Sequence, residues 1–193
     1  MNTRDRIRAE ATRQMLDNGY TRFTITAVRE ALGLSSGSMF HAFPSKQALA
    51  AAVYVDGMLD YQRAALAALD SATDPMAALL ALLDAHLDWV QQHRELARFL
   101  FATLPEEVAR EARPALTDPN REFFAALGSR YEQLGLTPSI GYPLAHAIWI
   151  GPAQEYCRQW VRGTVETPPS ALASTLRQAA VAALQAIAAT PHG

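Results

Sequence analysis

The chain has 193 residues, half of them apolar, and a formal net charge of −2 at pH 7. This length can bury a substantial core, and the wealth of alanine and leucine relative to β-branched residues favours helices over strands. The single cysteine, Cys157, excludes an internal disulfide and indicates a reducing compartment. The N-terminus lacks an apolar signal-peptide run, and no stretch of about 18 apolar residues predicts a membrane span. We therefore expect a soluble cytoplasmic protein.

Charge is distributed unevenly along the chain. Residues 1–50 carry seven basic side chains against four acidic ones, a balance of +3, which leaves −5 for the remaining 143 residues. A basic head on an acidic body fits the binding of a polyanion, although an ordinary solvated surface can show the same split. The asymmetry therefore favours nucleic acid as a partner without establishing it.

Capping and stop signals divide the chain into about nine predicted helices and no strand. Gly19 and Gly33 end two of them, because glycine adopts the left-handed backbone of a helix end. Asp74-Pro75 and Asp118-Pro119 each join a capping residue to an N1 proline and open two more. The predicted helices run over residues 3–18, 24–32, 36–43 and 45–69, from residue 75, over 95–113 in two pieces broken near residue 105, from residue 119, and over 143–162 and 170–189.

The most informative stretch runs from Thr24 to Leu49, where the turn Leu32-Gly33-Leu34 joins two short helices. Glycine in the turn permits the steep packing of a helix-turn-helix. Small polar residues at the exposed start of the second helix would let it lie deep in a DNA major groove and reach base edges. These residues are Ser35, Ser36, Gly37 and Ser38.

Lys46 is the only lysine in the chain, and it lies in the first turn of a predicted helix. The helix dipole disfavours a cation there, unless an anion binds to the ammonium and to the free backbone N–H groups. A DNA phosphate would meet this condition. The alternative is a solvated lysine without a role.

Residues 24–49 resemble the DNA-binding region of the TetR family of transcriptional regulators. Twelve positions match the family pattern in register, namely Thr24, Val28, Gly33, Leu34, Ser35, Gly37, Ser38, Met39, Phe40, Phe43, Lys46 and Leu49. The resemblance covers about the first 50 residues, and the rest only by helix number and length. It implies an all-α chain, with a three-helix DNA-binding domain at residues 1–48 and a helical ligand-binding and dimerisation domain at 49–193.

By this resemblance, Thr26, Ser36, Gly37 and Ser38 would approach the bases, and Ser35 belongs to the same predicted DNA-binding set. The DNA backbone would be approached by Thr24, Phe40, His41 and Lys46. Two positions depart from the family pattern. Phe40 stands where tyrosine is usual and lacks a hydroxyl for phosphate, and Arg29 occupies a commonly small position, from which it either turns to solvent or reaches DNA.

The last two predicted helices carry two apolar stripes, which favour a two-fold four-helix interface between copies of the chain. In the family resembled, the last two helices form the dimer interface. Burial in an internal core is the alternative for both stripes. The predicted interface residues are Trp149, Tyr156, Trp160, Leu172, Leu176 and Leu184. Within the first of these helices, Gly151-Pro152 predicts a kink.

Large aromatic side chains with few polar atoms in the middle helices predict a pocket for a small apolar or aromatic effector. The predicted lining consists of His86, Trp89, Phe99, Phe123, Tyr131, His146 and Trp149. An ordinary core needs the same residues and is the alternative for each of them. His86 and His93 lack a third ligand at metal spacing, so we expect no metal site.

These features together predict a repressor that binds palindromic operator DNA as a homodimer and is released by a small molecule. An enzyme is the first alternative. The sequence carries no phosphate-binding glycine loop, HExxH motif, nucleophile elbow or paired carboxylates, so we expect neither catalysis nor a cofactor. A ligand-independent DNA-binding protein is the second alternative, which the large apolar body disfavours.

Overall fold

A computed structural model describes residues 2–136 and 141–188, which form ten α-helices and a short 3₁₀ segment, without a strand among them. The all-α prediction is confirmed. The helices are α1 Thr3–Arg22, α2 Ile25–Ala31, α3 Ser36–Ala42, α4 Lys46–Asp70, α5 Pro75–Gln92, α6 Arg94–Leu100, α7 Glu106–Gln133, α8 Tyr142–Trp149, α9 Gly151–Arg162 and α10 Ala173–Ala188, with the 3₁₀ segment at Pro169–Leu172. Ala189, the predicted end of the last helix, lies outside the described residues.

Local signals set most helix ends. The side chain of Thr24 accepts a hydrogen bond from the backbone N–H of Ala27 at 3.1 Å, and Asp74 accepts one from Ala77 at 2.7 Å. The cap predicted at Asp74 is confirmed, and Thr24 caps α2 in the same way. Gly19 interrupts α1 with a φ of 74°, and Gly33 follows α2 with a φ of 63°. The predicted stop at Gly33 is confirmed. At Gly19 the structure has a kink, after which the helix resumes and ends at Arg22.

The prediction that a new helix opens at Asp118-Pro119 is wrong. A single helix, α7, passes through Pro114 and Pro119. Each proline removes one backbone donor, but the buried side chains on both sides of Pro119 keep helical spacing, so their packing outweighs the lost hydrogen bonds. The buried side chains of α7 are Val108, Ala112, Leu116, Phe123, Leu127 and Tyr131.

The single helix predicted over residues 143–162 is two helices, α8 and α9, which are separated at Ile150. Pro152 has no N–H to donate to the carbonyl of Ile148, so the α8 ladder stops there. The ladder resumes with Gln154 donating to the carbonyl of Ile150 at 2.9 Å. The predicted kink at Gly151-Pro152 is confirmed as a break between two helices.

The chain divides into two compact units. The first comprises the residues up to Leu59 together with Arg98–Asp118. Within it, α1, α2 and α3 pack on one another. Their shared core is built from the buried side chains Ile7, Met15, Phe23, Val28, Met39 and Phe43. The predicted domain boundary between residues 48 and 49 lies inside α4 and stays a prediction.

The second unit comprises Asp60–Ala97 together with the chain from Pro119 onward. Within it, α9 and α10 each pack against α5, and α10 also packs against α8. The apolar face of α5 that the sequence predicts is buried, namely Leu79, Leu82, Leu83, His86, Leu87 and Val90. None of the described helices has the length and apolar character needed to cross a membrane.

Candidate functional site

Backbone hydrogen bonds form the turn of the helix-turn-helix, and the side chain of Ser35 caps its second helix. Gly33 donates to the carbonyl of Glu30 at 3.1 Å, and Leu34 donates to Arg29 at 3.0 Å, which together form the turn. Ser35 then caps α3, because its Oγ accepts a hydrogen bond from the N–H of Ser38 at 3.1 Å. The capping fixes where α3 begins and which of its residues face outward.

Helix α3 has one buried and one exposed face. Met39 is fully buried, and Phe43 at the end of the helix is nearly so. Phe40 lies on the opposite face with 52% of its surface exposed. The other predicted DNA-contacting residues exposed on α2, α3 and their caps are Thr24, Thr26, Ser35, Ser36, Gly37, Ser38 and His41.

Gly37 has no internal reason to be glycine. A Cβ added there would meet only the Oγ of Ser35, at 3.9 Å, and the backbone is ordinary helix rather than left-handed. Glycine is a poorer helix former than alanine. The missing side chain therefore serves the exposed surface of α3 and not the fold.

Lys46 is half-buried and already has partners inside the chain. Its Nζ donates to the backbone carbonyl of Thr21 at 3.3 Å and lies 4.5 Å from the ring centroid of Tyr20. A cation at the C-terminal end of α1 is favoured by the helix dipole and by the aromatic face. The position of Lys46 is thus explained without an anion, although an ammonium has three donors and this carbonyl takes one.

Arg29, the residue at a commonly small family position, turns back on its own turn. Its guanidinium lies 3.5 Å from the carbonyl oxygen of Leu34 and 3.0 Å from the carboxylate of Glu30. The sequence left open whether Arg29 turns to solvent or reaches DNA. In the structure its side chain lies along the surface of the turn.

Positive charge in residues 1–50 is only partly neutralised. Each of the four acidic residues there lies within ion-pair distance of an arginine, in the pairs Asp5–Arg8, Glu10–Arg13, Asp17–Arg13 and Glu30–Arg29. Four basic side chains of this region form no ion pair with the described residues, namely Arg4, Arg6, Arg22 and Lys46. This surplus is available to a polyanion.

The predicted ligand-binding residues fall into separate groups. Phe99 belongs to the first unit, where it packs edge-to-face on Tyr54 with 6.3 Å between ring centroids. In the second unit, the rings of His86 and Trp89 surround Tyr61, whose hydroxyl lies 3.1 Å from Nδ1 of His86. His86 and Trp89 are both buried, as residues of an ordinary core would be.

A second polar cluster in the same unit joins α7 to α8. The indole N–H of Trp149 donates to the hydroxyl of Tyr131 at 2.5 Å, and that hydroxyl lies 3.3 Å from Nδ1 of His146. Burial raises the pKa of Tyr131 above its usual range and lowers the pKa of His146. Both side chains are therefore neutral near pH 7.

A pocket of about 470 Å³ opens beside this cluster, between α7 and α8. Its volume falls within the usual range of small-molecule sites. The lining consists of Phe124, Leu127, Gly128, Tyr131, Tyr142, Pro143 and His146. Only Tyr131 and His146 belong to the predicted ligand set. A glycine inside a predicted helix, Gly128, is the sequence signal that could have indicated the rest.

The family model described as bacterial regulatory proteins, tetR family, matches residues 7–53. These are the residues that form α1, the helix-turn-helix and the start of α4. The chain therefore carries, at its N-terminal end, the segment that this family model describes. No curated protein matches the sequence.

Solved structures of TetR-like regulators share the fold over nearly the whole chain. The fatty acid degradation regulator FadR from Bacillus halodurans is 18% identical, covers 90% of this chain and 95% of its own, and has a TM-score of 0.72. FadR from Bacillus subtilis, solved in complex with stearoyl-CoA, is 14% identical with coverages of 97% and 99% and a TM-score of 0.72. The TetR-family regulator PfmR from Thermus thermophilus is 22% identical, with coverages of 93% and 99% and a TM-score of 0.64.

Several residues predicted to form the dimer interface lie in the core of the chain itself. Trp149 and Leu184 are essentially inaccessible, and Trp160 is 8% exposed beneath the guanidinium of Arg94. Their stripes face inward because α9 and α10 pack on α5 within one chain. The interface assignment of these three residues is corrected accordingly. Tyr156, Leu172 and Leu176 are half-buried.

The second unit exposes apolar residues that were not among the predicted interface residues. On α8, Leu144 is 50% exposed and Ile148 is 39% exposed. They lie one helical turn apart, on a face next to that of buried Ala145 and Trp149. Among the described residues there is no group of three or more His, Cys, Asp or Glu side chains suited to a metal.

Proposed function

We propose that this chain is a transcriptional repressor that binds a near-palindromic operator as a homodimer in the cytoplasm, and that it is not an enzyme. The observation that carries the proposal is the exposed face of α3, where Gly37 has no side chain and no structural need to lack one. The flanking hydroxyls and the surplus of positive charge in the first unit support it. A helix with such a face can lie deep in the major groove.

Dimerisation is proposed through the exposed face of α8 together with α10. Leu144 and Ile148 leave an apolar strip on α8. Small residues, Ala179 and Ala182, are exposed on α10 and allow close approach of a second helix. A two-fold dimer built on this face presents two α3 helices related by symmetry, which read two half-sites about 34–36 Å apart or a multiple of that spacing.

The first experiment is a gel shift of the full chain against the intergenic DNA beside its own gene, with a scrambled duplex of equal length as control. We expect specific retardation by a species that sedimentation shows to be a dimer. Retardation equal to that of the scrambled duplex, at moderate salt, contradicts the proposal, because a repressor binds its operator at least about a thousandfold more tightly than random DNA.

We further propose that a small molecule binds the second unit and lowers the affinity for DNA. The pocket between α7 and α8 supports this, as does the relative from Bacillus subtilis, whose structure contains stearoyl-CoA. Coupling of about 1–3 kcal/mol would weaken operator binding roughly 5- to 150-fold. By linkage, operator DNA must weaken binding of the effector by the same factor.

Lys46→Ala is expected to weaken specific and random DNA binding alike, and to reduce the slope of log affinity against log salt by about one. A phosphate contact carries no base information, so base preference should not change. Lys46→Arg keeps the charge and is the matched control. Because Lys46 also holds the end of α1, thermal unfolding of both variants is measured alongside. A change in base preference with an unaltered salt slope contradicts the phosphate role.

A further inference from the structure

The pocket between α7 and α8 is kept open by a glycine in a helix interior. A Cβ added at Gly128 would lie 3.4 Å from Cε1 and Cζ of Tyr142. Such a contact leaves no room for a larger side chain unless the tyrosine ring moves. Glycine costs about 1 kcal/mol relative to alanine in a helix interior, so its presence here is explained by the space it leaves. That space is part of the pocket lining.

The polar side of the pocket is a hydrogen-bond donor. The hydroxyl of Tyr131 accepts from the indole of Trp149, and Nδ1 of His146, at 3.3 Å, is the one acceptor that the described residues offer to its proton. We therefore assign Nδ1 as the acceptor. A neutral imidazole that accepts at Nδ1 carries its proton on Nε2. Nε2 of His146 has no hydrogen-bond acceptor among the described residues. A molecule in the pocket can therefore supply one.

The pocket lining offers no positive charge to pair with an anion. None of the seven lining residues is a lysine or arginine, and burial keeps His146 neutral by lowering its pKa. Two charged residues flank the lining residue Tyr131 in sequence. Arg130 donates to the backbone carbonyl of Leu69 at 3.0 Å, and Glu132 accepts a hydrogen bond from the hydroxyl of Tyr142 at 2.5 Å. A carboxylate or phosphate entering an apolar pocket without a cation loses its hydration and gains no ion pair.

We propose that this pocket is the effector site and that it takes an uncharged, mostly apolar molecule with one hydrogen-bond acceptor for Nε2 of His146. Its regulatory role rests on the function proposed above, whereas binding itself does not. Fatty acids and the phosphates of an acyl-CoA do not meet the requirements of the lining. The ligand class therefore differs from the stearoyl-CoA found in the relative from Bacillus subtilis.

A matched pair of naphthalene probes tests the charge requirement on the full chain. Prodan is neutral and carries a ketone acceptor, while dimethylaminonaphthoate replaces the ketone with a carboxylate. We expect prodan to bind once per chain with enhanced emission, and the naphthoate to bind at least about tenfold more weakly. His146→Phe keeps the ring and removes the donor, so prodan affinity should fall about fivefold and its emission should shift to the blue.

Two substitutions test the location. Gly128→Leu fills the pocket and should weaken prodan binding at least about tenfold, whereas Ala125→Leu adds the same group at an exposed position of α7 and should not. Phe124→Ser removes the exposed phenyl ring from the pocket lining and should also weaken prodan binding. It tests the site even if Gly128→Leu fails to fold. Circular dichroism reports folding of each variant.

The outcomes separate the two proposals. Equal affinity for both probes, or prodan binding that survives Gly128→Leu and Phe124→Ser, overturns the proposed site. Prodan binding at the site that leaves operator affinity unchanged overturns only its role as the effector site. Absence of operator binding in the gel shift contradicts the proposed function and leaves the probe result standing.

Discussion

Gly37→Leu is expected to reduce operator affinity by about 5- to 150-fold while leaving the fold intact. The fold tolerates the change because a Cβ at Gly37 meets only Ser35 Oγ at 3.9 Å, and the backbone there is helical. Leucine is a better helix former than glycine, so stability should not fall. The added side chain instead fills the gap between α3 and the floor of the groove, which costs about one base contact, worth roughly 1–3 kcal/mol.

The measurement pairs fluorescence anisotropy on labelled operator with urea unfolding. Ala67→Leu is the control, because it adds similar bulk to an exposed position of α4 within the second unit. We expect this control to bind operator as the wild type does. If Gly37→Leu bound operator with unchanged affinity, α3 would not be the element that enters the groove. A loss of binding accompanied by lower stability would contradict the structural account of Gly37.

The helix-turn-helix could be predicted from the sequence because its signals are local. Thr24 caps one helix, Gly33 permits the turn, and Ser35 caps the next, each acting on backbone within three or four residues. The direction of α3 follows from the caps and the buried Met39. The sequence did not reveal that the Lys46 ammonium contacts the carbonyl of Thr21 and the ring of Tyr20, because the hydrogen bond to Thr21 joins residues 25 positions apart.

The second unit was harder to predict because packing there overrides local signals. Pro119 after Asp118 is a good helix start in isolation, yet α7 continues through it to bury Phe123 and Tyr131. An apolar stripe also does not show whether it faces a core or a second chain. Trp149 and Leu184 are core residues, whereas exposed Leu144 and Ile148 were not selected. The pocket was missed for the same reason, since the contact between Gly128 and Tyr142 depends on how α8 returns to α7.

Acid is expected to destabilise this protein through His86. Burial disfavours the imidazolium, and with a smaller contribution from His146 it lowers the pKa of His86 from 6.5 to about 4 in the folded chain. The unfolded chain therefore takes up the proton first as the pH falls. Stability from this group is fully present above about pH 6.5, is lost between about pH 6.5 and 4, and levels off below that.

The loss amounts to roughly 3 kcal/mol, because each unit of pKa difference corresponds to about 1.4 kcal/mol. His146, whose pKa burial also lowers, adds to the loss in the same direction.

Urea unfolding followed by circular dichroism, from about pH 7.5 to 4.5, measures how stability changes with pH. His86→Gln is neutral at every pH and can still accept a hydrogen bond from Tyr61, so the difference in slope between the two proteins separates His86 from the carboxylates. We expect the variant to be less stable than the wild type near pH 7.5 and to lose less stability on acidification. Parallel slopes would show that His86 takes up its proton in the folded chain, and that the Tyr61–His86 cluster opens to water before the protein unfolds.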